Sequence, residues 1–249
     1  MERSSVAPAP EISVVIPVFN EEENLPLLIE ELSGVLVSLQ RPYEIICVDD
    51  CSRDRSAGVL EELRARFPRL RPVRHRVNCG QSAALATGFE LAQGDIVVTL
   101  DADMQNDPAD IPMLLGALAP GVAAVCGVRR KRRDSWAKRL SSRIANRFRN
   151  ALTGARVTDA GCTLRAIRRS ALAEMPVFNG MHRFLSTILL YQGCRVLERD
   201  VNHRPRLKGK SKYGIRNRLW RGIVDCVAMR WFRDRCLRGD RCEGEDRPA

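Results

Sequence analysis

The hydrophobic pattern of the first half of the chain alternates between two periods. A near-continuous β-branched run such as Ile12–Phe19 is typical of a strand buried on both faces of a parallel sheet. Apolar residues spaced three to four positions apart over Glu21–Leu39 are typical of an amphipathic helix, with acidic residues expected in its first turn. The alternation predicts right-handed βαβ units in an open, mostly parallel sheet with helices on both faces.

Further elements follow from the same pattern. Strands are predicted at Tyr43–Val48, Leu70–His75, Asp95–Leu100 and Val122–Val128, and helices at Ser56–Phe67, Gln81–Ala92 and Ile111–Leu118. From Arg129 the composition becomes strongly basic, and apolar residues at four-residue spacing from Trp136 to Leu152 predict a basic amphipathic helix. The remaining elements are a loop at Thr153–Cys162, a strand at Thr163–Ile167, a helix at Arg183–Gln192, a strand at Arg195–Arg204, a Gly- and Lys-rich loop at Pro205–Gly214 and an amphipathic helix at Ile215–Trp231.

These elements are expected to form one domain over residues 11–235, with a first half at 11–128 and a second half at 129–235. Residues 1–10 are expected to be disordered, and residues 236–249 to form a polar tail. No apolar run approaches the roughly 18 residues of a membrane span, and the first residues do not read as a signal peptide. The expected protein is therefore soluble or peripheral.

The charge and the cysteines narrow the class of partner and the compartment. Forty-one Lys and Arg against 30 Asp and Glu give a net charge of +11, which favours an anionic partner such as a nucleic acid, a phosphate or an acidic membrane. The nine cysteines are odd in number and include no C-x-x-C pair, which favours free thiols in a reducing compartment.

Polar or acidic residues follow three of the predicted strands at the point where each strand ends. They are Asn20 and Glu21, Asp49 and Asp50, and Asp101 and Asp103. Each residue alone is also a common turn former or helix cap, but parallel strands end at one edge of a sheet, where ligands bind. Carboxylates crowded there would repel by about 4 kcal/mol per pair at roughly 4 Å and an effective dielectric of about 20. A hard divalent cation, Mg²⁺ or Mn²⁺, would remove that cost and bridge to substrate phosphates.

An ordered series of motifs surrounds these residues: VVIPVFNEEENL (14–25), VDDCSRD (48–54), NCGQSAALATGFELAQGD (78–95) and TLDADMQNDP (99–108). The series resembles that of glycosyltransferase family 2, and most closely its dolichol-phosphate and undecaprenyl-phosphate sugar synthase branch. The resemblance implies a Rossmann-like GT-A fold with C-terminal amphipathic helices. It also implies a metal-dependent, inverting transfer of a sugar from a UDP- or GDP-linked donor to a polyprenyl phosphate, either undecaprenyl or dolichyl phosphate.

The resemblance also implies roles for single residues of the donor half. Pro17, Asn20, Glu21 and Asp49 would line the nucleotide pocket, with Asp49 at the base or ribose. Asp101 and Asp103 would form the DxD-type element and, with Gln105, the metal site, Asp101 also touching the donor. Asp101 and Asp103 are accordingly assigned to catalysis, together with Arg129 and Asp159 of the second half.

The second half supplies the implied acceptor site. Arg129 and Arg143 would lie near the acceptor phosphate, and Asp159 would position the acceptor or the sugar, because a phosphate acceptor is already anionic and hardly needs a general base. Arg206, Ser211 and Lys212 belong to a loop expected to close over the phosphates of donor and acceptor.

The expected location is the cytosolic face of an anionic membrane, contacted peripherally through the helices at 136–152 and 215–231 or through a membrane-protein partner. The basic run Arg130–Arg133 has a second reading as a solvated helix face.

Two details of the motifs carry expectations of their own. Cys51 stands where the family usually has glycine, so a positive φ is not expected there. The turn Asn78–Gln81, which the family usually places near the donor and which is given no catalytic role, leads into a helix whose free N–H groups either meet an anion or are simply capped.

Three other functions compete with the transfer to a polyprenyl phosphate. A family 2 transferase acting on a saccharide or other hydroxyl would need a true base and no basic amphipathic dock. A nucleic-acid-binding protein would suit the charge, but the chain has no recognised nucleic-acid module and only 5% aromatic residues, so no nucleic-acid partner is expected. A catalytically silent homologue is disfavoured by the intact acidic set.

Overall fold

The structure, a computed structural model, describes residues 8–129, 146–205 and 215–236, with the backbone alone for 215–221. Its strands are β1 Ile12–Val18, β2 Tyr43–Asp49, β3 Leu70–Arg74, β4 Ile96–Thr99, β5 Ala124–Val128, β6 Arg165–Arg168 and β7 Val196–Asp200. Its helices are α1 Leu25–Ser38, α2 Ser56–Arg66, α3 Gln81–Leu91, α4 Ile111–Gly116, α5 (146–153), α6 Leu185–Tyr191 and α7 Ile215–Arg235, and 3-10 turns lie at Pro108–Asp110, Arg169–Leu172 and Met181–Arg183.

The seven strands form one mixed sheet in the order β3-β2-β1-β4-β6-β5-β7. All neighbours are parallel except β6, which runs antiparallel to both β4 and β5. The mostly parallel α/β fold predicted from the sequence is confirmed. Because β6 is reversed, its first residue lies at the edge where the parallel strands end.

Strand β1 shows why its sequence is apolar at nearly every position. Val14 and Ile16 pack with α1, α2 and α4 on one face of the sheet, whereas Val15 packs with α3, α6 and α7 on the other. All three side chains are fully buried. Burial of each such side chain contributes about 1.5–3 kcal/mol, so helices cover both faces at once.

Most predicted elements are present with small shifts at their ends, and two shifts matter. Helix α1 begins at Leu25, followed by Pro26 in its first turn, so the prediction of acidic residues in that turn is wrong. Glu21 and Glu22 instead lie in the preceding turn, where their N–H groups are held by side chains of the neighbouring loop.

The predicted strand Arg195–Arg204 ends early, at Asp200. The chain then leaves the sheet and crosses the loop after β4. There Arg204 N donates to Gln105 O at 2.9 Å, and His203 forms an isolated bridge with Asn106.

Some predictions fall partly or wholly outside the described residues. These are the disorder of residues 1–7, the beginning of the basic amphipathic helix, the loop at 206–214 and the polar tail beyond 236. Within the described ranges, no helix combines the length and apolar character needed to cross a bilayer. The eight cysteines in the described part of the chain are all free thiols.

Candidate active site

The segments that follow β1 and β2 are joined by hydrogen bonds from backbone N–H groups to side-chain oxygens. Asn20 N donates to Ser52 Oγ at 2.8 Å, and Arg53 N donates back to Asn20 Oδ1 at 2.7 Å. Glu21 N donates to Ser56 Oγ, also at 2.8 Å. These reciprocal bonds hold the two loops as one rim along the carboxyl edge of the sheet. Pro17 lies just inside this rim, opposite Val48 in the β1–β2 register.

Asp49 ends β2 and is 2% exposed. Its Oδ1 accepts a hydrogen bond from Ser52 N at 3.1 Å, whereas its buried Oδ2 has no hydrogen-bond partner among the described residues. Arg74 Nε lies 3.2 Å from Oδ2, close enough for a charge interaction but outside hydrogen-bond geometry. A cavity of about 290 Å³ opens beside this carboxylate, between α2 and β3. Asp49 therefore presents an acceptor without a donor at the wall of a cavity, as a buried polar group awaiting a ligand does.

The turn before α3 is held by Asp50. Cys79 N and Gly80 N donate to its two carboxylate oxygens at 2.8 and 2.7 Å, and Asn78 Nδ2 donates to its carbonyl at 3.0 Å. The two backbone donors already have a protein carboxylate as their partner. Neither N–H group is therefore open to a ligand. Gly80 is the N-cap of α3 and provides no side-chain cap, so capping and anion binding both stay predictions for the first turn of the helix.

His75 braces the same aspartate. Its Nδ1 lies 2.8 Å from Asp50 Oδ1 and its Nε2 lies 3.0 Å from Thr87 Oγ1. Ligand atoms of Asp50, His75 and Cys79 lie within 4.8 Å of one another, which is metal-like spacing. Both imidazole nitrogens and both carboxylate oxygens are already hydrogen-bonded, so the cluster is a structural brace.

Cys51 adopts a φ of +58°. The expectation that this residue avoids positive φ is therefore wrong: the turn after β2 keeps the left-handed conformation and places a side chain in it. Such a conformation costs an L-residue roughly 1–2 kcal/mol. The turn retains its shape because Asp49 and Asp50, which precede Cys51, are fixed by the bonds described above, and Ser52, which follows it, donates its N–H to Asp49.

The loop after β4 carries the acidic pair Asp101 and Asp103. Gln81, the first residue of α3, donates its Nε2 to Asp101 Oδ1 at 2.9 Å, and Asp103 Oδ1 accepts a hydrogen bond from Gln105 N at 3.2 Å. Burial, and then the charge of Asp103, raise the pKa of Asp101 to about 6; a hydrogen bond with Thr163 and the charges of Arg165 and Arg129 partly offset the rise.

The raised pKa of Asp101 is one indication that the acidic loop suits a bound cation. The charge of Asp103 adds to the cost of ionising Asp101, and a divalent ion held by both carboxylates would remove that cost. Gln105 adds a neutral oxygen to the same loop. The donor set consists of oxygens, which suits Mg²⁺ or Mn²⁺. Gln81, which the sequence reasoning placed near the donor without a role, is part of this arrangement.

The start of β6 supports the loop from the other side. Thr99 Oγ1 donates to Thr163 O, and Asn106 Nδ2 donates to Thr163 Oγ1 at 2.8 Å. Thr163 thus joins both ends of the loop that holds Asp101. The reversed direction of β6 makes this possible, because its entering residues lie at the carboxyl edge of β4.

Arg129 and Asp159, two predicted site residues 30 positions apart, form a bidentate ion pair. Arg129 Nε donates to Oδ2 at 2.8 Å and Nη2 donates to Oδ1 at 2.9 Å, with side chains only 16% and 6% exposed. Burial lowers the pKa of Arg129, but the hydrogen bonds and charge of Asp159 outweigh it, so the pKa lies above its ordinary value. Asp101 adds to that rise, which places Arg129 within electrostatic range of the acidic loop.

Four predicted site residues lie outside the described residues. They are Arg143, Arg206, Ser211 and Lys212. Their roles stay predictions, as do the individual roles of the residues described above.

Comparisons with known proteins identify the family of the chain. The profile of glycosyl transferase family 2 matches residues 13–175. An undecaprenyl-phosphate 4-deoxy-4-formamido-L-arabinose transferase from Aeromonas hydrophila is 38% identical over 219 residues, covering 87% of this chain and 67% of the relative. A protein of the same name from Serratia proteamaculans is 40% identical over 228 residues, covering 90% and 70%. The chain thus spans about two thirds of the length of these curated relatives.

Solved structures share the fold at lower identity. A glucosyl-3-phosphoglycerate synthase from Mycobacterium tuberculosis, in complex with Mg²⁺ and UDP, has a TM-score of 0.67 at 22% identity and covers 92% of this chain and 81% of that chain. A mannosyltransferase from Pyrobaculum calidifontis, in complex with GDP-Man and Mn²⁺, has a TM-score of 0.60 at 23% identity and covers 91% and 64%. With a profile matching more than half of the chain and relatives of about 40% identity, this chain belongs to glycosyl transferase family 2.

Proposed function

We propose that this chain transfers a sugar, with inversion, from a nucleotide-sugar donor to a polyprenyl phosphate at the cytosolic face of a membrane. The observation that carries the proposal is the buried Arg129–Asp159 pair held within electrostatic range of Asp101. An arginine oriented in this way binds phosphate oxygens, and the acidic loop beside it suits the metal-bound diphosphate of a donor. The names of the bacterial relatives favour undecaprenyl phosphate as the acceptor.

The donor side of the proposal rests on Asp49. A nucleobase or ribose in the neighbouring cavity would supply the hydrogen-bond donor that Oδ2 lacks within the described residues. Asn20 and Glu21 are tied to the next loop through their backbone N–H groups, and Pro17 lies opposite Val48 near the end of β1. All three are proposed to line the nucleotide site together with Asp49.

The leaving-group side rests on the acidic loop. Asp101, Asp103 and Gln105 would hold Mg²⁺ or Mn²⁺, which when bound offsets the charge on the departing nucleoside diphosphate. Gln81 fixes the orientation of Asp101 through its 2.9 Å hydrogen bond. Arg206, Ser211 and Lys212 are proposed to close over the phosphates from the C-terminal side.

On the acceptor side, the chain's residues hold and orient a nucleophile that is already charged. A phosphate monoester is anionic near neutral pH, so attack on the anomeric carbon needs no strong base. Both carboxylate oxygens of Asp159 accept hydrogen bonds from Arg129, and Oδ1 also accepts a hydrogen bond from Gly161 N at 3.1 Å. We therefore assign Asp159 the task of orienting Arg129 toward the acceptor phosphate, with Arg143 as a second cation.

Helix α7 supports the membrane contact. Its inner side packs in the core through Cys226 and Met229, while Val224, Val227 and Trp231 are 48%, 56% and 62% exposed. These three residues follow one another at helical spacing and so form an outward apolar stripe on a basic chain. An apolar stripe flanked by cations suits an anionic lipid surface.

The test is transfer of radiolabel from a panel of UDP- and GDP-sugars into an organic-extractable polyprenyl-phosphate fraction, with Mg²⁺ or Mn²⁺ present. We expect one donor to label the lipid with wild type and none with Asp103→Ala. Donor turnover without lipid labelling would replace the proposal with a hydroxyl or saccharide acceptor. No turnover with any donor would indicate a catalytically silent family member.

A further inference from the structure

Arg165 opens β6 and is 1% exposed, the bulkiest of the fully buried side chains in the described part of the chain. Its Nη2 donates to Ala160 O at 3.4 Å and to His182 O at 3.3 Å, whereas its buried Nη1 has no hydrogen-bond partner among the residues that the structure describes. No carboxylate within the described ranges forms a salt bridge with it. Burying a cation without an anionic partner costs several kcal/mol.

The two carbonyls that Arg165 holds belong to separate parts of the site. Ala160 directly follows Asp159, so one bond fixes the loop that carries the partner of Arg129. His182 belongs to the turn Met181–Arg183, and its Nδ1 lies 2.8 Å from Ser82 Oγ, beside Gln81. From one buried position Arg165 therefore holds both the loop that carries Asp159 and the turn Met181–Arg183.

Arg168, three residues later on the same strand, provides a contrast. It also binds backbone carbonyls, donating to Val122 O at 3.0 Å and to Leu118 O and Ala119 O at 3.2 Å each. Arg168 is only half-buried, pairs with Ile96 at the opposite end of β4, and serves to fasten a distant loop. Arg165 pairs with Thr99 at the active-site end, and its charge is one of those that partly offset the rise in the pKa of Asp101.

We propose that Arg165 is a positioning residue for the acceptor phosphate. From within the sheet it holds the backbone beside Asp159 and adds a second buried positive charge to that of Arg129. Because no carboxylate of the described residues forms a salt bridge with Arg165, its charge is available to stabilise the anionic acceptor when it binds. This inference rests on the proposed transfer to a polyprenyl phosphate.

The experiment compares Arg165→Met, Arg165→Lys and the matched control Arg168→Met with wild type. The measurements are the KM for polyprenyl phosphate, kcat, the Kd for UDP or GDP with Mn²⁺ by calorimetry, and the thermal midpoint. Because Arg165→Met removes both the hydrogen bond to Ala160 O and the buried positive charge, we expect it to raise the acceptor KM by about tenfold or more. The nucleotide Kd should stay within about twofold, and Arg168→Met should leave both constants near wild type, because neither change touches the nucleotide pocket.

The outcomes separate this inference from the proposed function. If wild type labels lipid but Arg165→Met and Arg168→Met share one acceptor KM, or if Arg165→Met weakens nucleotide and acceptor equally, Arg165 has only a structural role. If Arg165→Met does not fold, Arg165→Lys decides: it keeps the charge without the planar fork, and an acceptor KM equal to wild type overturns the proposal. Absence of lipid labelling by wild type refutes the proposed function instead.

Discussion

The guanidinium of Arg129 and the carboxylate of Asp159 face each other in two parallel hydrogen bonds of 2.8 and 2.9 Å. Arg129 N adds a third bond to the same carboxylate at 3.2 Å. The two residues therefore act as one unit, and a change in either should disturb the same function.

A double-mutant cycle tests this unit. We expect Arg129→Ala and Asp159→Ala each to lower kcat/KM by about 100-fold, and the double variant to be little worse, because losses within one unit are not additive. The measurement is initial transfer rate at varied acceptor concentration, with stability followed by urea unfolding. If the double variant multiplies the two losses, Asp159 acts independently of Arg129.

Asp101 gives a prediction for stability against pH. Its carboxyl has a pKa of about 6 in the folded protein and an ordinary value of 3.8. As the pH rises, the unfolded chain therefore releases this proton at a lower pH than the folded protein does. The protonated Asp101 thus contributes to stability below the ordinary pKa, and this contribution is lost as the pH rises toward 6. Above that pH the stability of the metal-free protein is reduced by the full free-energy cost of ionising the buried Asp101. Asp101→Asn should then raise the free energy of unfolding at pH 7.5 by about 1–3 kcal/mol.

Urea unfolding in a chelator at pH 7.5 and pH 4.0 measures this effect. The increase in the free energy of unfolding caused by Asp101→Asn should be smaller at pH 4.0 than at pH 7.5. The control Glu23→Gln, which changes an exposed carboxylate, should alter the free energy of unfolding little at either pH. Added Mn²⁺ should stabilise wild type more than the variant. An equal gain at both pH values would exclude the titration of Asp101 as its cause.

Cys51 predicts a stabilising substitution. Glycine adopts its φ of +58° without strain, at the cost of a more flexible unfolded chain. The balance favours Cys51→Gly by about 0.5–1 kcal/mol. The control is Cys51→Ala, which removes the thiol and keeps the strain, and chemical denaturation compares the two. A lower stability for glycine than for alanine would contradict the strain argument.

The outward stripe of α7 predicts weaker membrane binding when it is made polar. Val227→Asp combined with Trp231→Ala should lower partitioning into vesicles of phosphatidylglycerol and phosphatidylethanolamine by about tenfold, since both exposed apolar groups are lost. The control is Val37→Asp, which changes a valine 63% exposed on α1, packed on the other face of the sheet. Vesicle sedimentation measures the partition, and an equal loss in both proteins would place the contact elsewhere.

The sequence predicted the features that depend on local pattern. Apolar runs such as β1 and the acidic ends of β1, β2 and β4 follow from the period of side chains along a strand, and the structure places them as expected. The pairing of Arg129 with Asp159 and the reversal of β6 join residues far apart in the chain, and no local period encodes them. The N–H groups of the turn before α3 were ambiguous for the same reason, because their partner, Asp50, lies on another strand.

The reversal of β6 brings strands that leave the sheet and a strand that enters it to the same edge. Asp49, Asp101 and Arg129 follow strands that leave the sheet there, whereas Asp159 precedes a strand that enters it. Residues 154–158 can therefore vary in length or composition without shifting Asp49 or the acidic loop, provided that Asp159 keeps its ion pair with Arg129 and that Arg165 keeps its place opposite Thr99. We expect exchange of that short segment between relatives to change the proposed acceptor side while the donor half stays as it is.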